Sequence, residues 1–222
     1  MQEIRYAMVD GEKVPVLISG ENEALQAAKA ARRAIVGLWR EDGKENEWCA
    51  DTLITDVEDA DEEFLERIAR RHLGLPWTIC ETERLILREI AERDYEEIVK
   101  NHVDDGLDTA EKIAGYTKRH YEVFEFGFWA VEEKKSGNLA GVVGFRIPQD
   151  DAAGDVEDWL LSFDDENSLD DTLELGYHIF PEYRRQGYAK EEFGTVQFLA
   201  RIEKDNIVSK KVAERLGFVR AA

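Results

Sequence analysis

Cysteine and proline are scarce: Cys49 and Cys80 are the only thiols among 222 residues, and there are four prolines. The two cysteines have no CxxC partner and no neighbouring histidines, so they form no recognisable zinc or redox motif. At this length a sizeable core can be buried without disulfide staples, and free thiols in a reducing compartment are expected. So few prolines argue against a long disordered tail. Long apolar runs are missing as well. The longest purely apolar stretches are about seven residues, and the N-terminus MQEIRYAMVDGEKV lacks the basic start and apolar run of a signal peptide. A soluble, cytoplasmic protein is expected. Positive charge is the last shortage: 29 basic residues face 49 acidic ones, a formal charge of -20. That field repels nucleic acid and anionic membrane alike and favours cationic partners such as amines or basic peptides, although an acid excess also serves solubility alone.

What is present begins as a small α/β unit. Glu3 to Val9 and Val14 to Ser19 read as strands joined by the turn Asp10-Gly11-Glu12. Glu21 to Arg32, rich in Ala, Leu, Glu and Lys, reads as a helix. Ala34 to Trp39 and Asp51 to Val57 read as strands on either side of a polar loop. Asp61 to Leu73 spaces Phe64, Leu65, Ile68 and Leu73 for a helix, with acidic residues at its start and Gly74 and Pro76 at its end. Residues 1–79 hold no glycine-rich phosphate loop, no nucleophile beside a base and no ligand cluster. Packing, homodimerisation or substrate selection are the roles left to them.

A new pattern starts at Thr82-Glu-Arg-Leu-Ile-Leu-Arg-Glu-Ile90, where alternation predicts a strand. Helices are expected over Arg93 to His102 and Thr109 to Phe124. A β-hairpin of Phe128 to Glu132 and Leu139 to Ile147 should turn at Lys135-Ser-Gly-Asn138. Residues 150–171 carry ten carboxylates and no basic residue, interrupted by Trp159, Leu160, Leu161 and Phe163, and read as an insertion with a small amphipathic anchor. Asp164, Glu166, Ser168 and Asp170 alternate like calcium ligands. However, Leu169 stands where such a loop needs glycine and Leu175 where it needs the final Glu, so no metal site is expected.

Leu173-Glu-Leu-Gly-Tyr-His-Ile-Phe180 alternates cleanly and runs into Pro181-Glu-Tyr-Arg-Arg-Gln-Gly-Tyr-Ala189. A strand, a tight loop and a helix N-terminus together present unpaired N–H groups and the positive end of a helix dipole, as a pyrophosphate requires. Gly187 permits close backbone approach, Ala189 leaves room, and Arg184 and Arg185 add positive charge to an acidic chain.

The stretch LELGYHIFPEYRRQGYAKE resembles the acetyl-CoA motif of GNAT superfamily N-acetyltransferases, [Q/R]-x-x-G-x-[G/A], with Arg184, Gly187 and Ala189 at its defined positions. ETERLILREIAERDYEEI resembles the first strand and helix of that family, FWAVEEKKSGNLAGVVGF its second and third strands, and NIVSKKVAERLGF its last helix. The TERL opening, the LGY strand and the N-x-x-S start resemble the branch of Rim-type ribosomal-protein N-acetyltransferases. The resemblance covers residues 80–220. It implies an α/β (α+β) fold: a GNAT-like mixed, mostly antiparallel sheet with splayed parallel central strands flanked by helices over 80–222, after a small N-terminal α/β domain at 1–79.

The same resemblance implies acetyl-CoA as co-substrate, with its pantetheine arm between the splayed strands against the backbone of Ile179 and Phe180. Arg184, Arg185, Gln186, Gly187, Tyr188 and Ala189 would hold the pyrophosphate. Asn206 resembles the residue that bonds the pantetheine, though it also reads as a plain helix N-cap, and Ser209 would lie near the thiol. Acetyl transfer to an amine needs a proton acceptor, a polarised carbonyl and a proton for the departing thiolate. Glu174 stands where this branch often carries a carboxylate, and alternation puts Glu174, Gly176, His178 and Phe180 on one face. His178, about 13 Å from Glu174 at the usual strand rise, is a second candidate. The alternative reading of both is a solvated strand residue.

The sequence departs from the family pattern at Ala213, where many members carry a tyrosine acid, so Ser209 or water must protonate the thiolate. Gly187 and Asn206 are separated by only 19 steps, short for a parallel crossover of a dozen or more residues. The chain ends at Ala222, where the family would continue into another strand. Segments near Glu192 and after Ala222 are therefore expected to be missing. The expectation is direct acetyl transfer to a small-molecule amine or a peptide N-terminus in a ternary complex. The competing expectation is a non-catalytic acyl-CoA-binding or protein-interaction module on the same fold. No acceptor motif is visible.

Overall fold

The computed structural model describes residues 2–39, 49–103, 105–147, 156–161, 173–186, 198–203, 207–216 and 218–220. The chain divides into two compact units: Met1–Trp77 with Tyr116–Glu125, and Thr78–Gly115 with Phe126–Ala222.

In the first unit, β1 (Gln2–Val9) and β2 (Glu12–Ser19) form an antiparallel hairpin through Asp10 and Gly11, both at positive φ. Helix α1 (Asn22–Ala30) leads to β3 (Ala34–Leu38), parallel to β2, and β4 (Leu53–Ile54) adds parallel to β3, giving the sheet order β1-β2-β3-β4. Helix α2 (Glu62–His72) follows, with Asp61 as its N-cap: the Asp61 carboxylate accepts from the Phe64 N–H at 2.8 Å. Strand alternation assigns the two faces of the sheet. Val16, Ile18, Val36 and Leu38 pack with Leu65, Ile68 and Ala69 of α2, whereas Leu17 packs with Leu25 and Ala28 of α1. Burial on both faces explains why β2 ends as the unbroken apolar run Val16-Leu-Ile.

The second unit opens with β5 (Thr78–Glu81) and β6 (Leu85–Glu89), followed by α3 (Tyr95–Lys100). The start of α4 (Ala110–Phe124) belongs to this unit, and its end belongs to the first. Strands β7 (Phe128–Glu133) and β8 (Leu139–Arg146) form the expected hairpin, with Gly137 at positive φ. The remaining elements are β9 (Val156–Leu161), β10 (Leu173–Ile179), β11 (Phe198–Glu203), α5 (Ile207–Leu216) and β12 (Val219–Arg220). The eight strands run β12-β9-β11-β10-β8-β7-β6-β5, antiparallel except for the parallel pair β10 and β11. This is the mixed, mostly antiparallel sheet that the resemblance implied.

Two elements differ from expectation. Residues 156–161, expected as part of an anchored insertion, are a full strand between β11 and β12. Their carboxylates masked a segment that pairing with β11 holds extended. Strand β5, unanticipated, is exposed along its whole length, so no burial pattern marked it. The calcium-like run Asp164 to Asp170, from which no metal site was expected, and the crossover at 187–197 lie outside the described residues.

A buried charge network anchors this sheet. The Arg88 guanidinium, 4% exposed, donates to both Asp94 oxygens at 2.6 and 2.8 Å and to Glu132 at 2.8 Å. Burial works against its charge, but Asp94 and Glu132 outweigh it and hold the pKa above the ordinary arginine value. The Asp94 carboxylate also accepts from the Ala91 N–H at 2.7 Å, which fixes the turn between β6 and α3.

Candidate active site

Strand β10 carries the site. Among the described residues it pairs with β8 over Glu174 to Ile179 but with β11 only at Leu173 and Glu174, after which no further register pair joins the two parallel strands. Backbone groups alternate sides along a strand. The Phe180 N–H is donated to the Ala140 carbonyl at 2.9 Å, so Gly176, His178 and Phe180 point their backbone toward β8. Leu175, Tyr177 and Ile179 therefore point theirs toward the gap beside β11. Of the two residues expected to meet a pantetheine, Ile179 lies on that edge and Phe180 is bonded to β8. The Ile179 carbonyl accepts from Arg184 Nε at 2.9 Å.

Side chains on one face of β10 begin with Glu174, 3% exposed. Its Oε1 accepts from Arg146 Nη2 at 2.5 Å, across the register pair with β8. Gly176 comes next, where an added Cβ would sit 2.8 Å from the Phe128 ring. His178 follows, half-buried, with its ring edge-on to Phe180 at 6.0 Å between centroids. Burial and then the Arg184 charge lower its pKa below the ordinary histidine value, so it is neutral at pH 7. Glu174 and His178 thus share a face as expected, but the first is ion-paired.

Tyr177 projects from the opposite face of the strand. Burial pushes its phenol pKa up, and the nearby Ser209 hydroxyl, on the first turn of α5, opposes the rise, while among the described residues the buried Tyr177 hydroxyl makes no hydrogen bond. Ala213, one turn further along α5, is buried at 4% exposure. Tyr177 was missed from sequence: alternation set it on the face opposite Glu174, but nothing local showed that α5 would lie beside it.

The loop after β10 begins with a turn of 3-10 helix, Pro181–Tyr183, then exposed Arg184, Arg185 and Gln186. Arg185 sits at φ 63°, a left-handed conformation that turns the loop sharply. The Gln186 carbonyl accepts from Arg84 Nη1 at 2.8 Å, tying the loop to the start of β6. Gly187, Tyr188, Ala189 and Asn206 lie outside the described residues. The described part fits a pyrophosphate-bearing ligand in two respects: two adjacent exposed guanidiniums, and an open strand edge leading away from them.

Several solved structures are similar to about two thirds of this chain. A GNAT-family acetyltransferase from Bacillus anthracis is 19% identical, with 64% of this chain and 84% of that chain covered, at a TM-score of 0.44. The ribosomal-protein-S5-alanine acetyltransferase from Vibrio fischeri is 15% identical, with 65% and 83% covered, at 0.42. RimL, a ribosomal L7/L12 α-N-protein acetyltransferase in complex with coenzyme A, is 14% identical, with 63% and 82% covered, at 0.45. Among the described residues no helix is long and apolar enough to cross a membrane. The model of the Acetyltransferase (GNAT) domain matches residues 84–219, well over half of the chain, and the chain therefore belongs to the GNAT acetyltransferases.

Proposed function

We propose that the protein is an N-acetyltransferase that moves the acetyl group of acetyl-CoA to a primary amine in a ternary complex. The observation that carries this reading is the parting of β10 from β11 after Glu174, because it leaves a strand edge on which an extended pantetheine chain can add through main-chain hydrogen bonds. The Tyr177 and Ile179 backbone would hold that arm, with Arg184 and Arg185 at the phosphates. Acetyl-CoA supplies an activated acyl group and a thiolate that leaves readily.

The chain's own residues then divide the proton work. His178, neutral at pH 7, takes the proton from the attacking amine. Glu174 is already engaged, its buried carboxylate ion-paired with Arg146. We assign it to fixing β10 at the point where β11 departs. Tyr177, kept protonated by burial and close to Ser209, supplies the proton that the residue at Ala213 cannot. The acceptor is a small-molecule amine or a peptide N-terminus, which the acidic surface attracts. The free thiols Cys49 and Cys80 agree with a cytoplasmic setting.

The test is acetyl-CoA-dependent thiol release with a panel of small amines and peptides. His178→Gln and Tyr177→Phe should each lower kcat by about 10²-fold or more with little change in KM for acetyl-CoA, whereas Glu174→Gln should act mainly on stability. Tight coenzyme A binding with no thiol release from any amine would favour the non-catalytic alternative.

A further inference from the structure

The first unit holds a cleft of about 410 Å³, within the usual range for small-ligand sites. It lies at the amino ends of β3 and β4, against the C-terminal ends of α1 and α2. Its floor includes Ala34, Ile35 and Ile68, and its polar rim is formed by Lys29, Arg32, Arg33, Asp51, Arg71 and His72. Among the described lining residues, four cations stand with one carboxylate, in a chain whose formal charge is -20. Lys29 Nζ donates to the Cys49 carbonyl at 2.7 Å and to Asp51 at 3.3 Å, so the one carboxylate of the rim is already engaged.

Cations at helix C-termini commonly answer the helix dipole, but the backbone has met much of that demand here. At the end of α1, Ala31, Arg32 and Arg33 donate their N–H groups to the carbonyls of Ala27, Lys29 and Ala28. At the end of α2, Leu73, Gly74 and Leu75 do the same for Ala69, Arg71 and Arg70. His72 Nε2 lies 3.1 Å from the Arg32 carbonyl and pins the two ends together. The caps differ in one residue. Gly74 takes the left-handed position of α2 at φ 70°, where glycine costs nothing, but Arg32 takes it in α1 at φ 54°. A long cation is held in a strained backbone at the rim of a cationic cleft. A cap alone does not explain that choice.

We propose that this cleft binds a small, multiply charged anion bearing phosphate or carboxylate groups, taken by the guanidinium forks of Arg32, Arg33 and Arg71. The site gives residues 1–77 a ligand-binding role independent of the acetyl-transfer reading.

Calorimetric titration of the full chain with inorganic pyrophosphate and, separately, citrate tests it. An Arg184→Ala/Arg185→Ala background keeps the loop after β10 from contributing. At least one anion should bind at one site per chain. Tighter pyrophosphate binding assigns the phosphate class, and tighter citrate binding the carboxylate class. Arg33→Ala and Arg71→Ala should each weaken binding about 10-fold or more, while Lys13→Ala, a cation outside the cleft, should not. Arg32→Gly should raise the melting temperature yet weaken binding, which separates lost contacts from lost folding. Absence of saturable binding by both anions, or unchanged affinity in the three arginine variants, would overturn the proposal.

Discussion

His178 couples the proposed chemistry to stability through its charge. Its folded pKa lies below the ordinary value of about 6.5, so the unfolded chain binds that proton more readily. The stability it contributes is therefore complete above about pH 6.5 and is lost as pH falls toward the folded pKa. His120, also lowered by burial, acts in the same direction. Urea melts between pH 7 and 5 should show a shallower loss of stability for His178→Asn than for the parent, and parallel curves would show that burial does not depress this imidazole. Gly144 is constrained by space instead. A Cβ there would stand 1.9 Å from the Gly127 carbonyl oxygen and 2.5 Å from the Phe128 Cα, backbone atoms that cannot swing away. Gly144→Ala should cost about 1–3 kcal/mol or more by forcing β7 and β8 apart, read as a lower urea midpoint. An unchanged midpoint would place the two strands further apart than described.

At the level of elements, the parts written in local patterns were legible in the sequence. Helix α2 has its start at Asp61, its spaced apolar residues and its stop at Gly74 in one short stretch, and the hairpin β7–β8 announces its turn between two apolar strands. The parts set by distant partners were not. The Glu174 carboxylate meets Arg146 across 28 residues, and nothing near Glu174 in sequence shows that the two would pair. Strand β9 owes its conformation to β11 and β12, on the far side of β10 in sequence, and Tyr177 gains its interest only when α5 brings Ser209 to it. Two substitutions separate local from distant control. Asp61→Ala removes one cap hydrogen bond and should cost about 1 kcal/mol. Asp94→Ala strands the buried Arg88 and should cost about 3–5 kcal/mol. Equal losses in thermal or urea melts would mean that the Arg88 network is more hydrated than its burial implies.

Across the whole molecule, the chain carries a formal charge of -20, and its GNAT match covers residues 84–219. The motif pointed to β10 as the candidate strand, while the division of labour along it came from geometry: one edge spent on β8, the other facing the gap beside β11. That division is the centre of the account, and amide hydrogen exchange of the full chain with and without coenzyme A tests it directly. Coenzyme A should slow exchange at the Tyr177 and Ile179 amides, which face the gap, and leave His178 and Phe180, which face β8, nearly unchanged. Equal protection along β10, or none at Tyr177 and Ile179 when coenzyme A is bound, would contradict it.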